Sequence, residues 1–325
     1  MFELINSKKV DLLNLSADLY EHSKFKTKHL HLASENTEKV FMVAFKTVPE
    51  DSTGVAHILE HTALCGSKNF PVRDPFFMML RRSINTFMNA FTSSDWTAYP
   101  FATQNPKDFE NLLKVYTDAA FFPNLDELDF YQEGHRLDIN DKDELEIKGV
   151  VYNEMKGAMS APSSQLWHGM TKHLFPGTTY QFNSGGNPKD ILNLTHLDLV
   201  NFHRSHYHPT NASFYSFGDM NVDELQMYLE ENVMSQFNPL DTALSVPLAK
   251  KFDSPKYSFE HYQPSESKQA NNHVVVSWLL GKSYNSFNLL EKYFLTSLLI
   301  DNSSSPLRQA LETSDIGSAT SPIMG

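Results

Sequence analysis

VFMVAFKTVPEDSTGVAHILEH, residues 40–61, contains the change of period on which the reading of this chain turns. Across 40–48 the residues alternate and are rich in β-branched and aromatic types, as in a strand. Residues 29–34 read the same way, so two neighbouring strands are expected. Residues 49–54 are turn formers. From Ser52 or Thr53, either of which would serve as N-cap, the pattern predicts a helix to about Cys65. On that helix His57 and His61 are four residues apart and share one face, where both imidazoles reach a single Zn²⁺. Glu60 lies beside that face, placed to hydrogen-bond a water on the metal without ligating it.

The pentapeptide His57-Ile58-Leu59-Glu60-His61 is therefore an inverted zinc signature, H-x-x-E-H. The chemistry needs this division of labour, in which imidazoles hold the ion and a carboxylate takes a proton. The bland alternative is a surface helix carrying two histidines and a glutamate for solubility. A catalytic zinc also needs a third protein ligand and one open position. Glu133, Glu144, Glu146 and Glu154 are the candidates. Glu144 and Glu146 sit in a charge run and read as solvated, whereas the residues around Glu133 and Glu154 do not separate those two.

The chain has 325 residues, of which 41% are hydrophobic and 20% charged, enough for two globular domains. Its net charge of −12 leaves no basic stripe for nucleic acid. Cys65 is the single cysteine, so no internal disulfide can form. No apolar run approaches the ~18 residues of a membrane span, so no membrane partner is expected. Residues 1–30 carry Glu3, Asp11, Asp18 and Glu21 and lack the pattern of a secretory or transit leader. The expected compartment is cytoplasmic.

Further along, residues 85–101 read as a hairpin bent at 93–95, and 108–122 as an amphipathic helix. A short helix is expected at 125–133, an exposed acidic loop at 138–146, and helices at 150–159 and 164–174. Thr195 with Asp198 forms a capping box for a helix to His206. A strand at 212–217 and a helix at 222–233 follow. The domain plan is a first domain over 1–240, a linker over 241–270 marked by Pro247, Pro255 and Pro264, and an incomplete second domain over 271–325. That last part would hold a strand at 273–280 and helices at 286–300 and 305–312.

Five blocks occur in order: HILEHTALCGSKNFPVRDPF, NTFMNAFTSSDWTAYPFATQN, YQEGHRLD, KGVVYNEMKGAMS and FHRSHYHPTNASFYSFGD. Together they resemble the pitrilysin/insulinase family of zinc peptidases, and within it the presequence-protease branch. The resemblance implies an α+β fold, a mainly antiparallel sheet covered by helices, with the start of a second similar domain. It implies one Zn²⁺ on His57, His61 and Glu154, with Glu60 as general base. It also implies an extended, unstructured peptide as substrate, added to a sheet edge at Asn89, Ala90 and Phe91. Relatives carry an acidic residue seven positions before the third ligand, where this chain has Ile147, so the group supporting the zinc site is unassigned. The family's enzymes are longer and have two halves, which makes this chain resemble an N-terminal portion whose partner is the missing C-terminal half. The resemblance also admits a non-catalytic member serving as a binding or scaffold subunit, although such relatives lose the histidines or the glutamate of the motif.

The remaining candidates read as structural. His203, His206 and His208 form a cluster without a converging carboxylate, Gly185-Gly186 is a turn, and Cys65 is a buried packing residue.

Overall fold

The computed structural model describes residues 1–241, 244–262 and 272–316. It divides into two compact units, Met1–Ala161 with Phe182–Val246, and Pro162–Gln181 with Pro247–Gly325.

In the first unit β1 (Phe2–Val10) and β2 (Leu15–His22) form a hairpin, followed by β3 (Lys28–Ala33) and β4 (Lys39–Lys46). Next come α1 (Val55–Ala63), α2 (Pro75–Arg82), the short strands β5 (Phe87–Met88) and β6 (Phe91–Thr92), and the long strand β7 (Trp96–Thr103). α3 (Pro106–Phe121) and α4 (Glu127–Glu133) lead to a separate hairpin of β8 (Arg136–Ile139) and β9 (Leu145–Lys148), then to α5 (Val150–Ala158). α6 (Pro162–Leu174) belongs to the second unit. The first resumes with α7 (Pro188–Ile191), α8 (His196–His206), β10 (Ala212–Gly218) and α9 (Val222–Asn232).

The main sheet runs β1-β2-β3-β10-β4-β7-β5, with β6 beside β5 on β7. Every pairing is antiparallel except that of β10 with β3. This is the expected fold class, a mainly antiparallel sheet with helices. Alternation in β4 sends Phe41, Val43 and Phe45 into the core, where they meet Phe101 and Phe214 of neighbouring strands. α3 packs on β4 and β7 and supplies Leu112, Leu113 and Tyr116, while α1 adds Ile58 and Leu59. Each such side chain contributes about 1.5–3 kcal/mol of burial free energy. The expected box closes on α8 between Thr195 and Asp198, and α3 is capped by Asn105, which accepts from the amides of Lys107 and Asp108.

Several local expectations change. α1 is capped by neither Ser52 nor Thr53 but by Gly54, because Thr53 turns back to hydrogen-bond Asp51. The acidic stretch 138–146 is not a loop throughout but contributes to both arms of the β8–β9 hairpin, with Leu137 opposite Ile147. The N-terminal strands β1 and β2, which carry polar residues on an outer hairpin, escaped the pattern reading altogether.

The second unit contains α6, α10 (Ser286–Ile300) and α11 (Pro306–Glu312). Within it Glu260 pairs with Lys172 at 2.9 Å and His173 at 2.8 Å. The strand expected at 273–280 does not form; among the described residues no strand pairs with it, and an unpaired strand is not stable. Positions 242, 243 and 263–270 of the expected linker, residue 271 and the tail at 317–325 lie outside the described residues. No helix among the described residues is long and apolar enough to cross a membrane.

Candidate active site

α1 is aimed by its N-cap. Gly54 has φ +72°, and a Cβ there would lie 2.8 Å from the Gly185 carbonyl oxygen and 2.8 Å from Gly186 Cα. Only glycine fits both the left-handed backbone and the contact. The 185–186 turn thus lies against the start of α1, and the Gly185 carbonyl accepts from Nδ1 of His57 at 3.0 Å. A carbonyl can only accept, so a neutral His57 carries its proton on Nδ1 and keeps the Nε2 lone pair free.

His61 is fixed from the other side. Its Nδ1 lies 3.1 Å from Oε2 of Glu133, the last residue of α4. A second close approach brings α5 alongside, since a Cβ on Gly149 would fall 2.0 Å from the Gly134 carbonyl oxygen. From α5, Glu154 extends Oε2 to 3.7 Å from His57 Nε2 and 4.0 Å from His61 Nε2. The three donors lie within 4.8 Å of one another, and they are the one such group of three among the described residues. Tetrahedral zinc bonds of about 2.0 Å put donors about 3.3 Å apart, so the donors, at 3.7 Å, 4.0 Å and no more than 4.8 Å from one another, would have to draw in by about 0.4 to 1.5 Å around an ion. Two neutral imidazoles and a carboxylate, facing an open cleft, fit zinc.

The two carboxylates that the sequence left unseparated therefore stand on opposite edges of His61. Glu154 faces the cleft, whereas Glu133 is behind the ring. Burial pushes Glu133 up, but hydrogen bonds from His61 and Gln132 outweigh it and hold the carboxyl below its ordinary value. For His61 burial opposes the charge, yet the Glu133 hydrogen bond and the fields of Glu60, Glu133 and Glu154 bring its pKa above the ordinary value. The hydrogen bonds on the two imidazoles are made by Glu133 and by the Gly185 backbone. Ile147 itself packs against the core.

Glu60 is buried, and burial pushes its carboxyl above the usual range against the Thr92 hydrogen bond and the two imidazoles. A raised carboxyl suits proton acceptance near neutral pH. The cleft in front of it, about 480 Å³, is lined by His57, Glu60, His61, Asn89, Ala90, Phe91, Thr92, Glu154 and Gly185. A second, more apolar hollow of about 300 Å³ continues past Leu64, Phe76, Phe77 and Leu80.

Asn89, Ala90 and Phe91 lie on the sheet's edge. β5 and β6 keep a single register on β7, with Phe87 opposite Ala102 and Thr92 opposite Thr97, so 87–92 act as one edge strand. The break between them has a chemical cause: Asn89 donates to the Pro100 carbonyl, but Pro100 has no N–H to return. The Tyr116 hydroxyl takes the Asn89 carbonyl instead, at 3.3 Å. With Asn89 facing β7, alternation turns the main-chain groups of Met88, Ala90 and Thr92 outward. The Ala90 N–H is covered at 3.0 Å by the Asn89 side chain, a cap on the open edge.

The other histidines are spent elsewhere. His203 bonds the Ala120 carbonyl, His206 the Phe202 carbonyl, and His208 accepts from the Thr210 amide. Cys65 is buried, and burial pushes its thiol far up.

Residues 48–158 match the family model described as insulinase (peptidase family M16), and residues 193–321 match that of the M16 inactive domain. The chain is 44% identical over 322 residues to a mitochondrial presequence protease of Xenopus laevis, covering 96% of this chain and 31% of that protein. It is 43% identical to the mitochondrial presequence protease of Schizosaccharomyces pombe, covering 100% of this chain and 33% of the relative. Among solved structures, pitrilysin superposes with TM-score 0.60 at 18% identity, over 77% of this chain and 26% of that one. A protease from Helicobacter pylori gives 0.57 at 22%, over 72% and 53%. These two share the fold. The chain belongs to the pitrilysin/insulinase family, in its presequence-protease branch. It spans about a third of the length of the curated relatives it matches.

The expected cytoplasmic compartment is overturned, because these relatives are named as mitochondrial. The acidic residues of 1–30 that argued against a leader are structural: Glu3 pairs with Glu21 across the β1–β2 hairpin, and Asp18 with Ser7. They lie in and beside a folded hairpin, and their acidity says nothing about an address.

Proposed function

We propose that this chain carries the zinc site of a metalloendopeptidase that degrades unstructured oligopeptides, as part of an enzyme whose other half lies in a C-terminal portion. His57, His61 and Glu154 hold the ion. Zinc bound there supplies a Lewis acid that acidifies water and polarises a carbonyl. Glu60 accepts the proton of the attacking water and delivers it to the leaving amine. Glu133 and the Gly185 carbonyl orient the two imidazoles. The peptide lies along the 87–92 edge as an added strand, through Asn89, Ala90 and Phe91, where main-chain bonds hold any sequence in register. The apolar hollow at Phe76, Phe77 and Leu80 offers room for an apolar side chain. A mitochondrial setting follows from the relatives' names. We read 271–325 as the beginning of a second domain after the 241–270 linker.

The observation that carries this reading is the convergence of two Nε2 atoms and one carboxylate oxygen beside a buried glutamate, open to an unpaired sheet edge. The inactive-domain match covers 193–321 and touches none of those four residues, which leaves the scaffold-subunit alternative without support from the site. The test is cleavage of a labelled, unstructured peptide by the zinc-loaded protein, with Glu60→Gln alongside. Turnover lost in the variant while zinc is retained supports the reading, and equal turnover in both overturns it. Restoration of turnover only when a C-terminal portion is supplied would establish the two-half assembly.

A further inference from the structure

Gly185 and Gly186 carry four main-chain polar groups, and Asn183 takes three of them. Its Oδ1 accepts from the Gly185 amide at 3.2 Å, and its Nδ2 donates to the Gly186 carbonyl at 3.2 Å. Its main-chain carbonyl accepts from the Gly186 amide at 2.9 Å. The fourth group, the Gly185 carbonyl, is the one that His57 Nδ1 meets at 3.0 Å. The Asn183 side chain fits only one way round, since each N–H must find an oxygen and each carbonyl a donor. The Gly186 N–H and the Gly185 C=O belong to one peptide plane. In a trans peptide the two point in opposite directions, and no cis bond occurs among the described residues. Drawing that N–H back onto Asn183 therefore turns the carbonyl outward, toward His57.

This clamp is tied to both helices that carry ligands. The Asn183 amide donates to the Ser52 hydroxyl at 3.1 Å, and the Asn187 amide to the Ser52 carbonyl at 2.8 Å. Ser52 stands two residues ahead of the Gly54 cap of α1. On the other side a Cβ on Gly185 would lie 2.9 Å from Sδ of Met155, the neighbour of Glu154 on α5. Nδ2 of Asn183 also lies 3.6 Å from Sδ of Met159, the C-cap of α5. Asn183 is 8% exposed, so water does not replace a bond its amide fails to make.

We propose that Asn183 is the positioning residue of His57, holding the Gly185 carbonyl so that the ring carries its proton on Nδ1 and turns Nε2 to the metal position. The inference rests on the reading of His57 as a zinc ligand. It gives the two imidazoles different supports: a carboxylate behind His61, and behind His57 a neutral carbonyl whose direction is set by an asparagine far away in sequence. An uncharged support leaves His57 orientation dependent on geometry alone, which is why the turn is bonded at every main-chain group.

Asn183→Ala and Asn183→Ser in the intact protein test this, read by competition for zinc with a chromophoric chelator. Asn183→Ala should lower zinc affinity about tenfold, as for loss of a group that orients a ligand. Serine can still accept from the Gly185 amide but cannot span to the Gly186 carbonyl, so Asn183→Ser should fall between parent and alanine. It also serves if the alanine variant does not fold. Leu229→Ala, a truncation in the core on α9, separates orientation from stability. It should lower the melting temperature at least as much while zinc affinity stays within about twofold. An affinity equal to the parent's in both Asn183 variants, or an equal loss in Leu229→Ala, overturns the proposal. A second readout needs neither zinc nor turnover: the nitrogen-15 spectrum of the histidine rings in the metal-free protein, with the His57 signal identified by its loss in His57→Ala. With the ring neutral, protonation on Nδ1 in the parent and a mixture of tautomers in Asn183→Ala is the expected result. The same tautomer in both overturns it. Failure of the parent to bind zinc would defeat the metallopeptidase reading alone, because the ring spectrum still reports whether Asn183 directs His57.

Discussion

Oε2 of Glu133 stands 3.1 Å from Nδ1 of His61, while Oε2 of Glu154 faces the opposite nitrogen of the same ring at 4.0 Å. One imidazole thus separates two carboxylates of different duty. The buried one fixes the ring's tautomer, and the more exposed one faces the Nε2 atoms of both histidines. Glu133→Gln keeps an acceptor and loses the charge, so zinc affinity should fall about ten- to hundredfold. Glu154→Gln removes an anionic donor and should cost more. Competition with a chromophoric chelator ranks the two, and a larger loss at Glu133 would reverse the assignment.

Gly54→Ala should act on both stability and metal. Its φ of +72° and the 2.8 Å approach to the Gly185 oxygen leave no place for a methyl group. A loss of about 1–3 kcal/mol is expected in denaturant unfolding. Because the displaced carbonyl is the one that holds His57, zinc affinity should fall with it. A variant as stable as the parent would show that the 185–186 turn yields freely.

If a peptide adds to the 87–92 edge, its own hydrogen bonds alternate along the chain. Single N-methylation of a substrate should therefore raise KM at every second position near the scissile bond and leave the intervening positions nearly unchanged. Uniform tolerance at all positions would rule out strand addition.

Acid should weaken the fold through histidines that do not line the cleft. Burial, with the nearby His31, lowers His29 to about 3, and burial lowers His203 to about 4 against a helping bond to the Ala120 carbonyl. His29 lies between the Ser216 hydroxyl and the Gln226 amide. In the unfolded chain both titrate near 6.5. Below that pH the unfolded state gains protons the folded state refuses, so stability drops from about pH 6.5 down to each folded value. Across those windows each histidine costs about 1.4 kcal/mol per pH unit. Urea unfolding between pH 7.5 and 4.5 measures the slope, and His29→Gln should flatten it by about one proton. An unchanged slope would remove His29 from the acid response.

Local spacing was enough for some of this protein. His57, Glu60 and His61 lie within one helical turn or so, and the i, i+4 geometry that joins them needs no tertiary contact. The same holds for the amphipathic face of α3 and the capping box at Thr195, whose partners are near in the chain. Glu133 and Glu154 were indistinguishable as residues, because each is an apolar-flanked glutamate and their difference is a side of His61. The packing of α4 and α5 at Gly134 and Gly149 decided it. Gly185 read as a turn, and its service to His57 depends on the missing Cβ of Gly54, far away in sequence. The edge at Asn89–Phe91 was likewise a matter of pairing: alternation predicts a strand, but only the sheet order leaves one side of it open. Residues at 273–280 have strand-like composition and, among the described residues, no strand beside them. Sequence periodicity specifies which way side chains point within an element, and neighbours across space determine what those side chains then do.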